Sequence, residues 1–133
     1  MIFADSSALI ALFNPNDDFH ADALEWFQQT HPRLILTDYI IDEVLTLAIS
    51  RGGKQFALSI SKKIRDLIPA GVKKITEEDF YEAWKVFDNY QDKNWSFTDC
   101  VTYIFIKRSG IQKVFTFDTD FDQFGIVSRQ PSS

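Results

Sequence analysis

Short apolar runs alternate along this chain with longer stretches of helical periodicity, and that alternation limits the possible folds more than any other feature. The runs at 2–4, 34–36 and 113–117 have the length of buried strands, and the first two are each followed by apolar side chains at helical spacing. Strands that alternate with helices predict a mainly parallel sheet with helices on both faces. We therefore expect an α/β fold of three layers, with the sheet in the middle.

Capping residues and glycines mark the ends of the helical stretches. Asp5 and Thr37 each precede a predicted helix. Gly52-Gly53 interrupts the helix that follows Thr37, so the chain is expected to continue there as a second helix and to form a helical hairpin. Further helices are expected over 18–30, from Thr76 and over 97–107, and weaker strands over 72–75 and at 126–127.

Length and composition predict one folded domain. With 133 residues, of which 45% are hydrophobic, the chain is long enough to bury a single core. We expect the domain to span residues 1–129. The polar segment 130–133 is expected to be a disordered tail.

Cysteine usage and hydropathy indicate the compartment. Cys100 is the only cysteine, which excludes an internal disulfide and a zinc site built on a cysteine pair. The N-terminus lacks the positive segment of a secretory signal, and no uncharged stretch approaches the ~20 apolar residues that span a bilayer. We expect a cytoplasmic protein.

Four acidic residues lie where a strand gives way to a helix, or in the first turns of a helix. They are Asp5, Glu43, Asp99 and Asp118. In an open parallel sheet these positions share the edge at which the strands end, and ligands bind there. Residues far apart in the sequence are therefore expected to meet at one site.

Carboxylates brought together repel one another, so such a cluster takes up protons or binds a cation. Oxygen ligands favour magnesium, manganese or calcium, and no calcium-loop spacing is present. Magnesium commonly binds a few carboxylates together with substrate phosphates. The cluster therefore indicates metal-assisted hydrolysis of a phosphodiester.

Local roles compete with catalysis at each acid. Asp5 is placed to cap the following helix, and Ser96 with Asp99 fits a capping box. Glu43 is placed to complement a helix dipole, and Asp118 fits an ordinary turn. The combined pattern, rather than any single acid, favours catalysis.

Four segments, in order along the chain, carry a family pattern. They are Ile2-Phe3-Ala4-Asp5-Ser6-Ser7, 37–43, Ser96-Phe97-Thr98-Asp99 and Phe115-Thr116-Phe117-Asp118-Thr119-Asp120-Phe121. Together they resemble the PIN-domain ribonucleases, and especially the short toxins of the VapC type. The resemblance covers nearly the whole chain, and its strength comes from the order of four individually weak motifs.

This resemblance implies an endoribonuclease that depends on Mg²⁺ or Mn²⁺ and uses water as the nucleophile, without a covalent enzyme intermediate. It implies a PIN-like α/β/α sandwich, a homodimer and a small antitoxin protein as partner. The implied catalytic and metal-binding quartet is Asp5, Glu43, Asp99 and Asp118, with Asp120 as a further candidate ligand. The implied supporting polar residues are Ser7, Thr98 and Thr116.

The charge of the chain is unusual for this function. A net charge of -5 argues against broad electrostatic attachment to RNA. Part of that charge belongs to the acidic quartet itself. The local basic groups that remain to guide an RNA strand are Arg51, Lys54, Lys73, Lys74 and Lys93.

Two other functions fit parts of the pattern. A PIN domain that binds RNA or protein without cutting is one alternative, although a complete quartet favours activity. A phosphatase with an aspartate nucleophile would have a second aspartate at position 7, where Ser7 stands. Among the tryptophans, Trp84 is expected in the core and Trp95 is the better candidate for contact with substrate.

Overall fold

The computed structural model describes residues 1–68 and 71–132, and within these ranges it has five strands and six helices. The strands are β1 (Ile2–Ala4), β2 (Leu34–Thr37), β3 (Val72–Lys73), β4 (Lys113–Phe115) and β5 (Ser128–Gln130). The helices are α1 (Ser6–Phe13), α2 (His20–Thr30), α3 (Asp38–Leu67), α4 (Glu77–Asn89) and α5 (Phe97–Ser109), with a 3-10 helix over Thr119–Phe124. Across these two ranges, no helix is long and apolar enough to cross a membrane.

The described strands form one parallel sheet in the order β3-β2-β1-β4-β5. This confirms the predicted α/β fold with a mainly parallel sheet. From β1 the chain moves outward through β2 to β3, and then adds β4 and β5 on the other side of β1. The order of strands therefore reverses between β1 and β4, which is the place where open parallel sheets bind ligands.

Helices cover both faces of the sheet. Phe3 pairs with Val114 and Ala4 pairs with Phe115 across β1 and β4, so Phe3 and Phe115 point to opposite faces. The ring of Phe3 lies 6.0 Å from that of Phe105 in α5, whereas the ring of Phe115 stacks at 4.4 Å on Trp26 in α2. The three predicted layers are therefore present.

Gly53 breaks α3 into two helical halves. Its backbone has φ 82° and ψ 179°, a conformation that is essentially restricted to glycine. Ile41 and Ile64 nevertheless line the same cleft, although a straight helix would separate them by about 35 Å. The second half must fold back along the first, as the hairpin prediction requires.

The last strand differs from its prediction. β5 spans Ser128–Gln130 rather than 126–127, and the Gln130 carbonyl accepts a hydrogen bond from the Thr116 N–H at 3.1 Å. Gln130 therefore belongs to the sheet and not to the predicted tail, whereas Ser133 lies outside the described residues. Apolar content was a poor guide because β5 is an edge strand, which can be polar.

The predicted environments of two tryptophans were wrong. Trp84 is 49% exposed on α4, and Trp95 is buried. The buried positions of α4 are Asp79 and Ala83, and Trp84 lies one residue beyond the buried stripe. Trp95 instead packs edge-on against Phe124 and donates its Nε1–H to Gln123 at 3.2 Å.

Candidate active site

Asp5 occupies the centre of the site, directly after β1. Its side chain is buried, and its Oδ2 accepts hydrogen bonds from Ser7 Oγ at 2.9 Å and Thr116 Oγ1 at 3.0 Å. Asp5 is also the residue before α1, but its side chain makes no capping hydrogen bond. The structure therefore contradicts the simple capping role, because the carboxylate is turned toward β4.

Glu43 reaches the site from the beginning of α3. Its Oε1 accepts a hydrogen bond from the hydroxyl of Ser6, the first residue of α1. α1 packs against α3, and this packing brings the two side chains together over a sequence separation of 37 residues. Ser6 was not among the predicted site residues, and its only signal in the sequence was a polar side chain at a junction between strand and helix.

Asp99 combines a local role with a place in the site. Its Oδ2 accepts from the Ser96 N–H and its own N–H donates to Ser96 Oγ, each at 3.0 Å, which forms a capping box. The local alternative is therefore confirmed. It also fixes the direction of the carboxylate, which is close enough to Asp118 and Asp120 for their charges to affect its pKa.

Asp118 lies just beyond β4 and starts the 3-10 helix. Its N–H donates to Thr116 Oγ1 at 3.0 Å, and its Oδ1 accepts from the Asp120 N–H at 2.9 Å. This is the turn geometry expected of an aspartate at such a position. Thr116 thus holds Asp5 and Asp118 at once, whereas Asp120 is exposed.

Electrostatic coupling indicates that the four predicted acids lie near one another. Burial, with the nearby charge of Glu43, raises the pKa of Asp5 to about 6 even though Ser7 and Thr116 donate hydrogen bonds to it. Burial is also the main cause of the raised pKa of Glu43, to which the charges of Asp99 and Asp118 add. These shifts are typical of carboxylates that share a partly desolvated site.

The donor set suits a hard cation. Within residues 1–68 and 71–132, no lysine or arginine forms an ion pair with Asp5, Glu43, Asp99 or Asp118. In the same ranges, no three acidic, histidine or cysteine side chains are already close enough to enclose a metal ion. The site therefore presents uncompensated carboxylate oxygens, which are the ligands that magnesium and manganese prefer.

The predicted supporting residues divide into two groups. Ser7 and Thr116 hold Asp5, and their hydroxyls lie 3.3 Å from each other. Thr98 is half-buried in the first turn of α5, and within the described chain no side-chain hydrogen bond joins it to the acids. Among the described residues, the capping role at this turn belongs to Ser96 rather than to Thr98.

The fold and the arrangement of acids can be compared with known proteins. The family model described as PIN domain matches residues 2–127, which is nearly the whole chain. The chain belongs to the PIN-domain family. The family resemblance predicted from the four sequence segments is thus confirmed.

Known relatives of this PIN domain extend the comparison. The 23S rRNA-specific endonuclease VapC20 of Mycobacterium tuberculosis is 28% identical over 131 residues, which cover 98% of this chain and 99% of the relative. The crystal structure of the same M. tuberculosis protein, described as a Sarcin-Ricin loop cleaving toxin, aligns with a TM-score of 0.84 at 25% identity, covering 96% of this chain and 97% of that one.

A more distant structure shares the fold. FitAcB of Neisseria gonorrhoeae aligns with a TM-score of 0.71 at 12% identity, covering 97% of this PIN domain and 96% of that chain. At that identity the likeness establishes the fold alone.

Replacement of the central acid should change how stability depends on pH. The pKa of Asp5 is raised to about 6 in the folded state, so as the pH rises the unfolded chain loses the carboxyl proton of Asp5 at a lower pH than the folded chain does. The free energy of unfolding therefore falls as the pH rises from about 4 to 6. Asp5→Asn should remove a destabilisation of up to about 3 kcal/mol at pH 7. Urea unfolding in EDTA at pH 4.5, 5.5 and 7 measures this effect.

The matched control for that experiment is Asp42→Asn, which removes an exposed acid beside Glu43. The pKa values of Glu43 and Asp99 are raised like that of Asp5, so all three acids contribute to the slope of the free energy of unfolding against pH in the wild type. The difference in this slope between Asp5→Asn and the wild type isolates the contribution of Asp5. An unchanged slope in Asp5→Asn would contradict the prediction.

Proposed function

We propose that this PIN domain is an endoribonuclease that hydrolyses RNA phosphodiester bonds with the help of Mg²⁺ or Mn²⁺. The observation that carries the proposal is the convergence of Asp5, Glu43, Asp99 and Asp118 at the strand-order reversal, without a paired basic residue in the described ranges. Such a site has a strong electrostatic preference for a divalent cation. It also lies at the open edge of the sheet, where a large substrate can reach it.

The four acids of this site are proposed as the ligands, and Asp120 is an additional candidate at the exposed rim. A divalent ion supplies, when bound, a water of lowered pKa and a positive charge that stabilises the phosphate during attack. Hydroxyl groups then position the acids: Ser7 and Thr116 hold Asp5, and Ser6 holds Glu43. Asp5 and Glu43 are each held by a hydroxyl that lies far away in the sequence, so their arrangement depends on the folded chain, whereas the capping box with Ser96 holds Asp99 locally.

The proposed substrate class is ribosomal RNA. VapC20, a 23S rRNA-specific endonuclease, aligns with this chain over nearly the full length of both proteins. We therefore propose an rRNA loop of the sarcin-ricin type as the first substrate to test. We also propose a role as the toxin of a toxin-antitoxin pair, because the crystal structure of VapC20 is described as that of a toxin.

The cleavage assay uses an RNA hairpin with the sarcin-ricin loop sequence, together with a mixed pool of single-stranded RNA. We expect cutting with Mg²⁺ or Mn²⁺ and none with EDTA, and a loss of at least about 100-fold in Glu43→Gln and Asp5→Asn. Asp42→Asn, one residue away and exposed, should cut like the wild type. Cutting should also decline as the pH falls, because protons compete with the cation for the buried carboxylate of Asp5, whose pKa is raised by burial.

Two other results would change this assignment. Equal cutting by all variants would show a contaminating nuclease. RNA that binds but is not cut under any metal condition would favour the alternative, a PIN domain that binds RNA without cleaving it.

We propose further that the protein is a homodimer and that the exposed aromatic face of α4 forms the contact. Tyr81, Trp84 and Phe87 are about half exposed, and the rings of Tyr81 and Trp84 lie parallel at 6.4 Å. An apolar patch of this kind on a small domain is commonly a site where a protein partner binds. Phe97 touches this face and is two residues from Asp99, so the contact lies beside the site.

Charge introduced into this face should separate the subunits. Trp84→Lys is expected to lower the mass in solution from twice 15.4 kDa to 15.4 kDa, measured by size-exclusion chromatography with light scattering. Leu58→Lys, which changes an equally exposed apolar residue on α3, is the matched control and should remain dimeric. A dimer that persists in Trp84→Lys would exclude this face as the interface.

The cytoplasm is the proposed location, because the lone Cys100 is buried as a free thiol.

A small antitoxin protein is the proposed regulatory partner. Structural neighbours of this PIN domain include VapBC2 of Rickettsia felis, a complex bound to promoter DNA. If a small reading frame lies next to this gene, its product should co-purify with the protein and abolish RNA cutting. Full activity in the presence of that product would contradict this partnership.

A further inference from the structure

A cleft of about 500 Å³ opens between α2 and the segments that follow β4 and β5. Phe19, Phe117 and Arg129 line it, together with Asp22 and Glu25. Its volume falls within the range of ~300–1,000 Å³ that holds small ligands or parts of larger ones. Apart from the backbone of Phe117, these residues have no part in holding the acidic quartet.

The cleft lies beside the carboxylate site, because two of its lining residues, Phe117 and Arg129, are close to Asp118. Phe117 immediately precedes Asp118, and its N–H donates to Ser7 Oγ at 3.2 Å, the same hydroxyl that holds Asp5. Arg129 lies close enough to Asp118 for the two charges to interact. A strand of RNA whose phosphate lies at the acids would therefore place a neighbouring nucleotide at this cleft.

The aromatic residues of the cleft form a platform for stacking. The ring of Phe19 stacks on that of Phe117 at 4.7 Å with an angle of 10° between them, and 48% of Phe19 remains exposed. The N–H of Phe19 donates to Asp17 Oδ1 at 2.9 Å, which fixes the backbone that carries the ring. Exposed aromatic faces bind unpaired bases with little dependence on sequence.

The cleft offers a nucleotide one cationic donor and two carboxylate acceptors. Arg129 donates from Nε and Nη2 to Asp122 at 2.9 and 3.3 Å, so its guanidinium is held in place near Asp118. A fixed guanidinium is well suited to a phosphate. Asp22 and Glu25 provide acceptors for the N–H groups on the edge of a base. In a chain of net charge -5, stacking would supply affinity that a general surplus of basic residues cannot.

We propose that this cleft is a nucleobase subsite, in which an unpaired base of the RNA stacks on Phe19 while Arg129 binds the adjoining phosphate. The inference rests on the proposed ribonuclease function and describes how the same site holds its substrate.

The test compares two substitutions at one position. Binding of a fluorescein-labelled single-stranded RNA of mixed sequence is measured by fluorescence anisotropy in an Asp99→Asn background, which keeps the RNA intact. Phe19→Leu, which retains apolar bulk but lacks a ring, should raise the Kd by about 5- to 150-fold, whereas Phe19→Tyr should bind like the parent. Equal binding by Phe19→Leu, or equal loss in both variants, would overturn the subsite.

The phosphate contact has a separate readout. Arg129→Gln should weaken binding and lower the slope of log Kd against log salt concentration by about 0.7, the contribution of one phosphate on a single strand. Arg33→Gln is the matched control, because this exposed arginine precedes β2 and so lies at the end of the sheet where the strands begin. The slope of log Kd against log salt concentration should not change in this variant. An unchanged slope in Arg129→Gln would remove the phosphate contact.

The cleavage assay separates this inference from the proposed function. Metal-dependent cutting that is lost in Asp99→Asn but unchanged in Phe19→Leu would leave the nuclease standing and remove the subsite. RNA binding that depends on Phe19, in a wild type that does not cut, would remove the nuclease and keep the subsite. RNA that binds to none of the proteins would overturn the subsite.

Discussion

The buried carboxylate of Asp5 is the interaction on which the rest of the site depends. It stands at the end of β1, and Ser7 and Thr116 both donate to the same oxygen, which ties α1 and the end of β4 to one point. Thr116 also receives the Asp118 N–H, so one hydroxyl sets the positions of two acids. This arrangement exists only because β1 and β4 are neighbours in the sheet.

The site is destabilising in the absence of a cation. Burial raises the pKa of Asp5, Glu43 and Asp99 above their ordinary values, which means that the folded state disfavours their charged forms. A chain selected for stability alone would place apolar or neutral side chains at these positions. The persistence of several buried or half-buried acids at one sheet edge is the physical reason to connect the site with cation binding.

The acidic balance of the chain fits a local rather than a general mode of RNA binding. The predicted basic candidates are partly engaged elsewhere, since Lys74 pairs with Asp38 and Lys93 lies 5.7 Å from the ring centre of Trp95. Arg129, which was not among the predicted basic candidates, pairs with Asp122 and also lies close enough to Asp118 for the two charges to interact. It was missed because it follows the quartet by 11 residues, and only the pairing of β5 with β4 brings it to the site.

The sequence by itself determined the local features, namely the succession of strands and helices along the chain, the helix break at Gly53 and the acids at the ends of strands. These features depend on side-chain periodicity and backbone preference, which act over a few residues. Tertiary structure alone decided the order of the strands within the sheet, the contact of Ser6 with Glu43 and the pairing of the polar edge strand β5. It also decided that Trp84 is exposed and Trp95 is buried. Each of these depends on which distant surfaces pack together, and local periodicity contains no information about that choice.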